Sequence, residues 1–356
     1  MKKLLKITLL CILGLIVVVC VCFWSAFGPM VKGALSAVKL DDGLYYMEYK
    51  GDDGFDEFLE QGGAKNSQEV VSYINQFLSK GYYSPDGTPD TAKFGCSTLT
   101  ASSDNGNVLM GRNFDYPSAT AVILRTKPKR GYEYISTFNV EFYGFSEGWV
   151  PEGFVNQYIA LSGLFLALDG INERGFAIAD LMAGDAVETH QNTGKPALTT
   201  TSAIAYLLKK AATVDEAIDL LGTIDMHSDI GAAHHYAMSD AKGRSVVVEY
   251  VDNQMVVTET HAVANHYLCQ QKLNAGWIFG DLRYDRLCQL YDESQGVMDQ
   301  QQFNEAIFSV AQQPWGKNFV GGTQWTMVMN LTKPSVTYYW HRNFDKPFRF
   351  ELERGK

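Results

Sequence analysis

The hydrophobic pattern opens with an uninterrupted apolar run. Residues 7–31 hold 25 positions without a charge, behind Lys2, Lys3 and Lys6. At ~1.5 Å per residue this run exceeds a ~30 Å hydrocarbon core, whereas a signal-peptide core needs only about 7–15 residues. No small-x-small cleavage site precedes Gly28-Pro29. The sequence favours an uncleaved single-pass anchor, with a cleaved signal and a secreted product as the alternative. The leading lysines put the remainder outside the cytoplasm.

Beyond the run the periodicity changes twice. Asp41-Asp42-Gly43 and Gly51-Asp52-Asp53-Gly54 read as turns. Over 68–80, Val70, Val71, Ile74, Phe77 and Leu78 recur at helical spacing, with Ser67 as N-cap and Gly81 as stop. Residues 83–90 form a turn-rich linker. From residue 96 short β-type runs take over, at 97–102, 108–114, 134–139, 159–166, 176–180, 235–239, 245–251 and 255–259, the last two joined at Asp252-Asn253-Gln254. Helices are predicted at 200–211, at 213–221 with a Thr213/Glu216 capping box, at 281–291 and at 300–312. A hairpin of 325–331 and 336–341 ends the series. That order is the order of an α+β layered sandwich, without internal repeat.

Composition narrows the class. With 46% hydrophobic and 13% aromatic residues in 356, a packed core is expected. A net charge of −10 argues against nucleic acid as a partner. The one basic cluster, Arg125-Thr126-Lys127-Pro128-Lys129-Arg130, reads as a solvated loop. Of six cysteines, Cys11, Cys20 and Cys22 lie in the apolar run, leaving Cys96, Cys269 and Cys288, too few for a disulfide framework. Cys269 and Cys288 are read as a pair or as two free thiols.

Cys96 carries the chemistry. It follows Gly95, precedes a strand and a polar turn at Ser102–Asn107, and is answered by Gly111-Arg112-Asn113-Phe114-Asp115. This is the layout of an N-terminal nucleophile hydrolase, in which the chain is cut before the cysteine and the new α-amine serves its own thiol. An amine of pKa roughly 7.7–8.0 can take a proton from a thiol of ~8.5. Arg112, sixteen residues on, would favour the thiolate, and Asp115 would hold the α-ammonium.

The same residues resemble the choloylglycine hydrolase, or linear amide C–N hydrolase, family, which includes bile salt hydrolases, penicillin V acylases and, more distantly, acid ceramidases. The resemblance extends through Asp169-Gly170-Ile171-Asn172-Glu173-Arg174-Gly175-Phe176 and through Ser239 to Glu249, Asn265, Arg283 and Thr323-Gln324-Trp325-Thr326. It implies a four-layer αββα sandwich behind one transmembrane helix: residues 1–31 as anchor or signal, 32–95 as pro-segment and 96–356 as amidase domain. It further implies an autoprocessing cysteine hydrolase acting on linear amides through a thioester. Cys96, Arg112, Asp115, Asn265 and Arg283 are the catalytic residues so implied, with Asn265 an oxyanion donor and the cut between Gly95 and Cys96. No cofactor or metal is expected. Met182 stands where bile salt hydrolases carry asparagine and penicillin V acylases tyrosine; methionine donates no hydrogen bond, so a second oxyanion donor must be main chain.

The aromatic stretch 138–165 offers Phe142, Tyr143 and Trp149, with Met182, as lining for an apolar acyl pocket. A small amphiphilic N-acyl amide is the expected substrate, the pro-segment and the membrane the expected partners, with helix 68–80 clamping the cut pieces together. An acyltransferase using the same thioester and an unprocessed, non-catalytic surface protein are the alternatives. Gly144-Phe145-Ser146-Glu147-Gly148 fits the serine-esterase elbow, but Trp149-Val150-Pro151 cannot begin the required helix. His227, His234 and His235 lack metal-ligand spacing and read as strand histidines.

Overall fold

The computed structural model describes residues 2–80, 95–143, 145, 148–228, 231–273, 281–314 and 322–354. The linker at 83–90 lies outside the described residues, as do Gly144, Ser146 and Glu147 of the esterase-like motif. The N-terminal part forms helix α1 (Lys2–Leu35), strands β1 (Val38–Asp41) and β2 (Leu44–Gly51), and helices α2 (Phe55–Glu60) and α3 (Ser67–Ser79). Four strands follow: β3 (Gly95–Ser102), β4 (Val108–Tyr116), β5 (Ala121–Pro128) and β6 (Tyr134–Asn139). After α4 (Phe154–Ile159) come β7 (Asp169–Asn172), β8 (Ala177–Met182), β9 (Ala197–Thr199), α5 (Thr200–Lys210) and α6 (Val214–Leu221). Strands β10 (Asp225–His227), β11 (His234–Ser239), β12 (Ser245–Val251), β13 (Gln254–Glu259) and β14 (Ala262–Val263) follow. Helices α7 (Leu282–Glu293) and α8 (Gln300–Ser309) precede β15 (Gly322–Asn330), β16 (Ser335–Trp340) and β17 (Pro347–Glu351).

Two sheets result. The larger runs β1-β2-β5-β6-β7-β8-β11-β12-β13, the smaller β14-β3-β4-β15-β16-β17. Because side chains alternate along a strand, each sheet feeds two cores. Ile123, Ile135, Ala179 and Leu181 of the large sheet meet Met110, Phe114, Trp325 and Met327 of the small one in a core between the sheets. Met47, Ile178 and Val248, on the large sheet's other face, pack under Phe55, Phe58, Ile74, Ile204 and Leu208 of the helices. Leu99, Leu109 and Val328 on the small sheet's outer face pack under Leu287, Phe303 and Ile307 of α7 and α8. Helices, sheet, sheet and helices thus form four layers of an α+β fold.

The N-terminal part is built into this architecture. Strand β2 pairs in parallel with β5 from Leu44↔Ala121 to Gly51↔Pro128. Lys209 of α5, 2% exposed, meets Asp53 at 2.7 Å and Asp56 at 3.5 Å. The basic cluster read as a loop begins inside β5, where Arg125 and Lys127 share Glu133 at 2.6 and 2.8 Å; only Lys129 and Arg130 lie beyond the strand, exposed. Sharing one buried carboxylate and partly exposed to water, these two cations can stay in a strand.

Other elements shift for local reasons. The α3 cap is Asn66, whose side chain accepts from the Glu69 N–H at 2.9 Å, and Lys80 ends the helix in the left-handed region at φ 53°. The apolar run at 159–166, read as a strand, is the end of α4 and a 3₁₀ turn at Ala160–Leu164. Every residue from Ala160 to Leu164 is buried, so the run has no polar face from which to read a period. The turn between β12 and β13 is Asp252-Asn253, with φ 50° and 62°. Cys269 and Cys288 are both free. Helix α1 is long and apolar enough to cross a membrane over Lys6–Leu35.

Gly63 docks the N-terminal part on β9. Its φ is +72°, and a Cβ there would lie 1.9 Å from the Ala197 carbonyl oxygen. Gly63→Ala is expected to cost about 1–3 kcal/mol or more, because both strain and clash must be relieved. Urea unfolding of the two proteins measures this; equal midpoints would contradict the docking.

Candidate active site

The hairpin of β3 and β4 sets the site by parity. Its turn fixes a register in which Cys96 faces Phe114, Thr98 faces Arg112 and Gly95 faces Asp115. Cys96 and Phe114 both belong to the core between the sheets. Arg112, two residues from Phe114, shares that face and projects toward the large sheet. Asp115 falls on the other face, toward α7. The Gly95–Cys96 peptide bond therefore passes between two charged clusters.

The inner cluster is closed to water. Arg112 is 0% exposed and pairs through Nη1 with Asp169 of β7, itself 0% exposed. Nη2 donates to the Asp180 carbonyl oxygen at 2.9 Å and to Cys96 Sγ at 3.4 Å. Trp325 Nε1 donates to the same Asp169 oxygen at 3.0 Å, and the guanidinium lies 5.0 Å from the Phe114 ring centroid. Among the described residues, Arg112 Nε and Asp169 Oδ1 have no hydrogen-bond partner. Burial pushes the Cys96 thiol up to about 12, with Arg112 drawing it the other way. In the continuous chain the nucleophile candidate is therefore a buried, protonated thiol.

The outer cluster is a chain of hydrogen bonds. Asp281 caps α7 by accepting from the Arg283 N–H at 3.0 Å and holds its guanidinium at 2.8 Å. Arg283 then reaches Asp115 Oδ2 at 2.6 Å and Asn265 Oδ1 at 2.7 Å. Thr323 also binds Asp115. Burial pushes the Asp115 carboxyl up to about 6 against the pull of Arg283. Asn265 Oδ1 accepts the Cys96 N–H at 2.8 Å, while Nδ2 donates to the Met182 carbonyl at 2.8 Å. A Cβ at Gly95 would lie 3.3 Å from Asp115 Oδ2 and 3.4 Å from Arg283 Nη1, so the residue before the cysteine is held tightly.

Cys96, Arg112, Asp115, Asn265 and Arg283 thus converge, with Gly95 and Met182 beside them. Phe142 packs against Phe114 and Tyr116, at centroid separations of 6.2 and 5.0 Å, at the edge of the inner core. Tyr143 closes the short 3₁₀ turn from Val140. Trp149 is not brought to the cysteine: it stacks on Phe145 at 4.0 Å and packs against the helical side of the large sheet. Residues without an assigned role in the sequence also enter. Asp169 was visible only as part of a turn motif, Asp281 only as a helix start, and Asp180 only as a strand end. His235, buried, bonds Glu249 at 3.1 Å and the Ala264 carbonyl at 2.9 Å, steadying the segment that carries Asn265. His234 pairs with Asp180 at 2.9 Å. Among the described residues no cluster of three metal-ligating side chains occurs.

Removing the carboxylate from the inner pair leaves a guanidinium charged and desolvated. Asp169→Ala is expected to lose roughly 3–5 kcal/mol of stability. Chemical denaturation measures this, and a loss within the about 0.5 kcal/mol of an ordinary surface change would contradict the pairing.

Known proteins resemble this chain in sequence and in fold. The model of the linear amide C–N hydrolases, choloylglycine hydrolase family, matches residues 96–273, half of the chain, and begins at Cys96. A penicillin V acylase of Pectobacterium atrosepticum is 29% identical over 133 residues, covering 32% of this chain and 35% of its own length. The chain thus spans about a third of the length of that curated relative. Two crystal structures of the conjugated bile acid hydrolase of Clostridium perfringens, each of a different single-residue variant, share the fold. They superpose with a TM-score of 0.51 each at 16% and 17% identity, covering 73% and 72% of this chain and 93% and 92% of theirs. The chain belongs to the linear amide C–N hydrolases of the choloylglycine hydrolase family.

Proposed function

We propose that this protein is an autoprocessing N-terminal cysteine hydrolase that cleaves linear amide C–N bonds of N-acyl substrates through a thioester. The observation that carries this reading is the double hold on Cys96, its N–H on Asn265 Oδ1 at 2.8 Å and its Sγ 3.4 Å from Arg112 Nη2. A backbone nitrogen destined to become a catalytic amine needs an acceptor that survives the cut, and Asn265 supplies one.

In maturation, Cys96 Sγ attacks the Gly95 carbonyl, the acyl group moves from nitrogen to sulfur, and water releases residues 1–95 with a new carboxylate. The freed α-amine brings its positive form next to a thiol that burial alone holds up, and this charge joins Arg112 in favouring the thiolate. Asp115 and Asn265 Oδ1 orient the amine. In turnover the amine takes the thiol proton as Sγ adds to the substrate carbonyl. Asn265 Nδ2 has two N–H groups; one stays on the Met182 carbonyl and the other faces the oxyanion, beside a main-chain donor. The α-ammonium then protonates the leaving amine, and water, deprotonated by the amine, hydrolyses the thioester.

Phe142, Phe114 and Tyr116 give the inner site an apolar aromatic wall, which suits an acyl chain. With α1 as a membrane anchor the catalytic half lies outside the cytoplasm, near amphiphilic substrates. The cut pieces stay together because β2 is an interior strand of the large sheet and Lys209 is sealed against Asp53.

An acid-quenched reaction with a long-chain N-acyl amide, digested and analysed by mass spectrometry, tests the chemistry. A hydroxylamine-labile acyl adduct on the Cys96 peptide is expected, with turnover lost in Cys96→Ala. Full turnover in Cys96→Ala would overturn the assignment.

A further inference from the structure

Helix α1 continues without a break from its exposed apolar part into the folded body. Residues 7–26 are exposed, whereas Gly28, Met30, Gly33 and Ala34 are buried. Twenty residues at ~1.5 Å cover ~30 Å, the depth of the hydrocarbon core. Phe23, Trp24 and Phe27 gather at the upper end of that stretch, as an interfacial aromatic belt requires.

Helix α4 runs alongside the buried end of α1 and in the same direction. Tyr158 Oη lies 3.1 Å from Met30 Sδ, and Leu161 lies at Gly33, 3.1 Å from the position of its Cβ. Three residues along one chain thus match three along the other. Continued one turn back, this places Phe154 and Val155 level with residues 26 and 27, where the apolar stretch ends. Both are solvent-exposed, Phe154 by 47% and Val155 by 66%, although they are among the larger apolar side chains of the body. The neighbouring carboxylate, Glu152, is held by Lys39 at 3.3 Å and by the Tyr45 hydroxyl at 2.6 Å, so beside Phe154 and Val155 this charge is paired.

We infer that Phe154 and Val155 form a ledge immersed in the bilayer interface beside the α1 span, so that the body rests on lipid along α4. This rests on reading α1 as a membrane span. The occupant is the lipid bilayer: exposed apolar side chains at the depth where a span emerges meet acyl chains and headgroups before any other surface. A second contact also fixes the rotation of the body about the α1 axis, which a lone span leaves free.

The test uses the full chain in phosphatidylethanolamine–phosphatidylglycerol nanodiscs, with a photoreactive benzophenone amino acid in place of Val155, Ile16 or Leu282 in turn. Ile16 reports the span. Leu282, 80% exposed at the start of α7, is equally apolar but lies on the far side of both sheets. Lipid adducts, read by intact mass after illumination, are expected at positions 155 and 16 and not at 282. Adducts at 16 without 155 would overturn the ledge and leave the span intact. Adducts at all three positions would also overturn it, because the contact must be local. Absence of adducts at 16 would overturn the spanning reading, and the ledge with it.

Discussion

The fold turns on one buried ion pair. Arg112 of the small sheet and Asp169 of the large sheet meet in the core between them, both fully shielded from water. Desolvating a guanidinium and a carboxylate costs several kcal/mol per ion, and such a pair is tolerable only with good geometry and further hydrogen bonds. Trp325 on the carboxylate and the Asp180 carbonyl on the guanidinium supply two of these. The same Nη2 of Arg112 also points at Cys96 Sγ. A hydrophobic pair would hold two sheets together at lower cost, so the charge makes sense as a fixed cation aimed at sulfur.

The same logic explains why a thiol sits where burial makes its ionisation hard. Cys96 is pushed up to about 12 in the continuous chain, which keeps it unreactive toward stray electrophiles. Cutting the bond before it would add a second cation, on the residue itself, in a position already framed by Asn265, Asp115 and Arg283. The proposed maturation would then change the electrostatics of the site more than its packing. The N-terminal part is compatible with that division, since it contributes an interior strand, buried aromatic residues and a sealed Lys209–Asp53 pair.

Much of the site was legible in the sequence because it is local. Cys96, Arg112 and Asp115 lie on one hairpin, and a short turn fixes their parity. Asn265 and Arg283 were found through resemblance, since nothing in spacing alone brings them to residue 96. Asp169 was written in the motif but silent about its partner, because an inter-sheet contact depends on how two sheets stack. The aromatic stretch misled in part: Phe142 faces the inner core, whereas Trp149 faces the helical side. Strand β2 was obscured by the acidic turns around it, although Leu44–Gly51 carries tyrosines and alternating burial that fit a half-buried strand. The run at 159–166 failed for the opposite reason, being apolar on all sides.

The bond before Cys96 decides the chemistry. Intact-mass analysis and N-terminal sequencing of the purified full-length protein, beside Cys96→Ala, address it directly. The expected result is a wild-type fragment that begins at Cys96 and copurifies with the 1–95 piece, while the variant stays whole. A wild-type protein that hydrolyses N-acyl amides with the Gly95–Cys96 bond intact would contradict autoprocessing and the role of the α-amine.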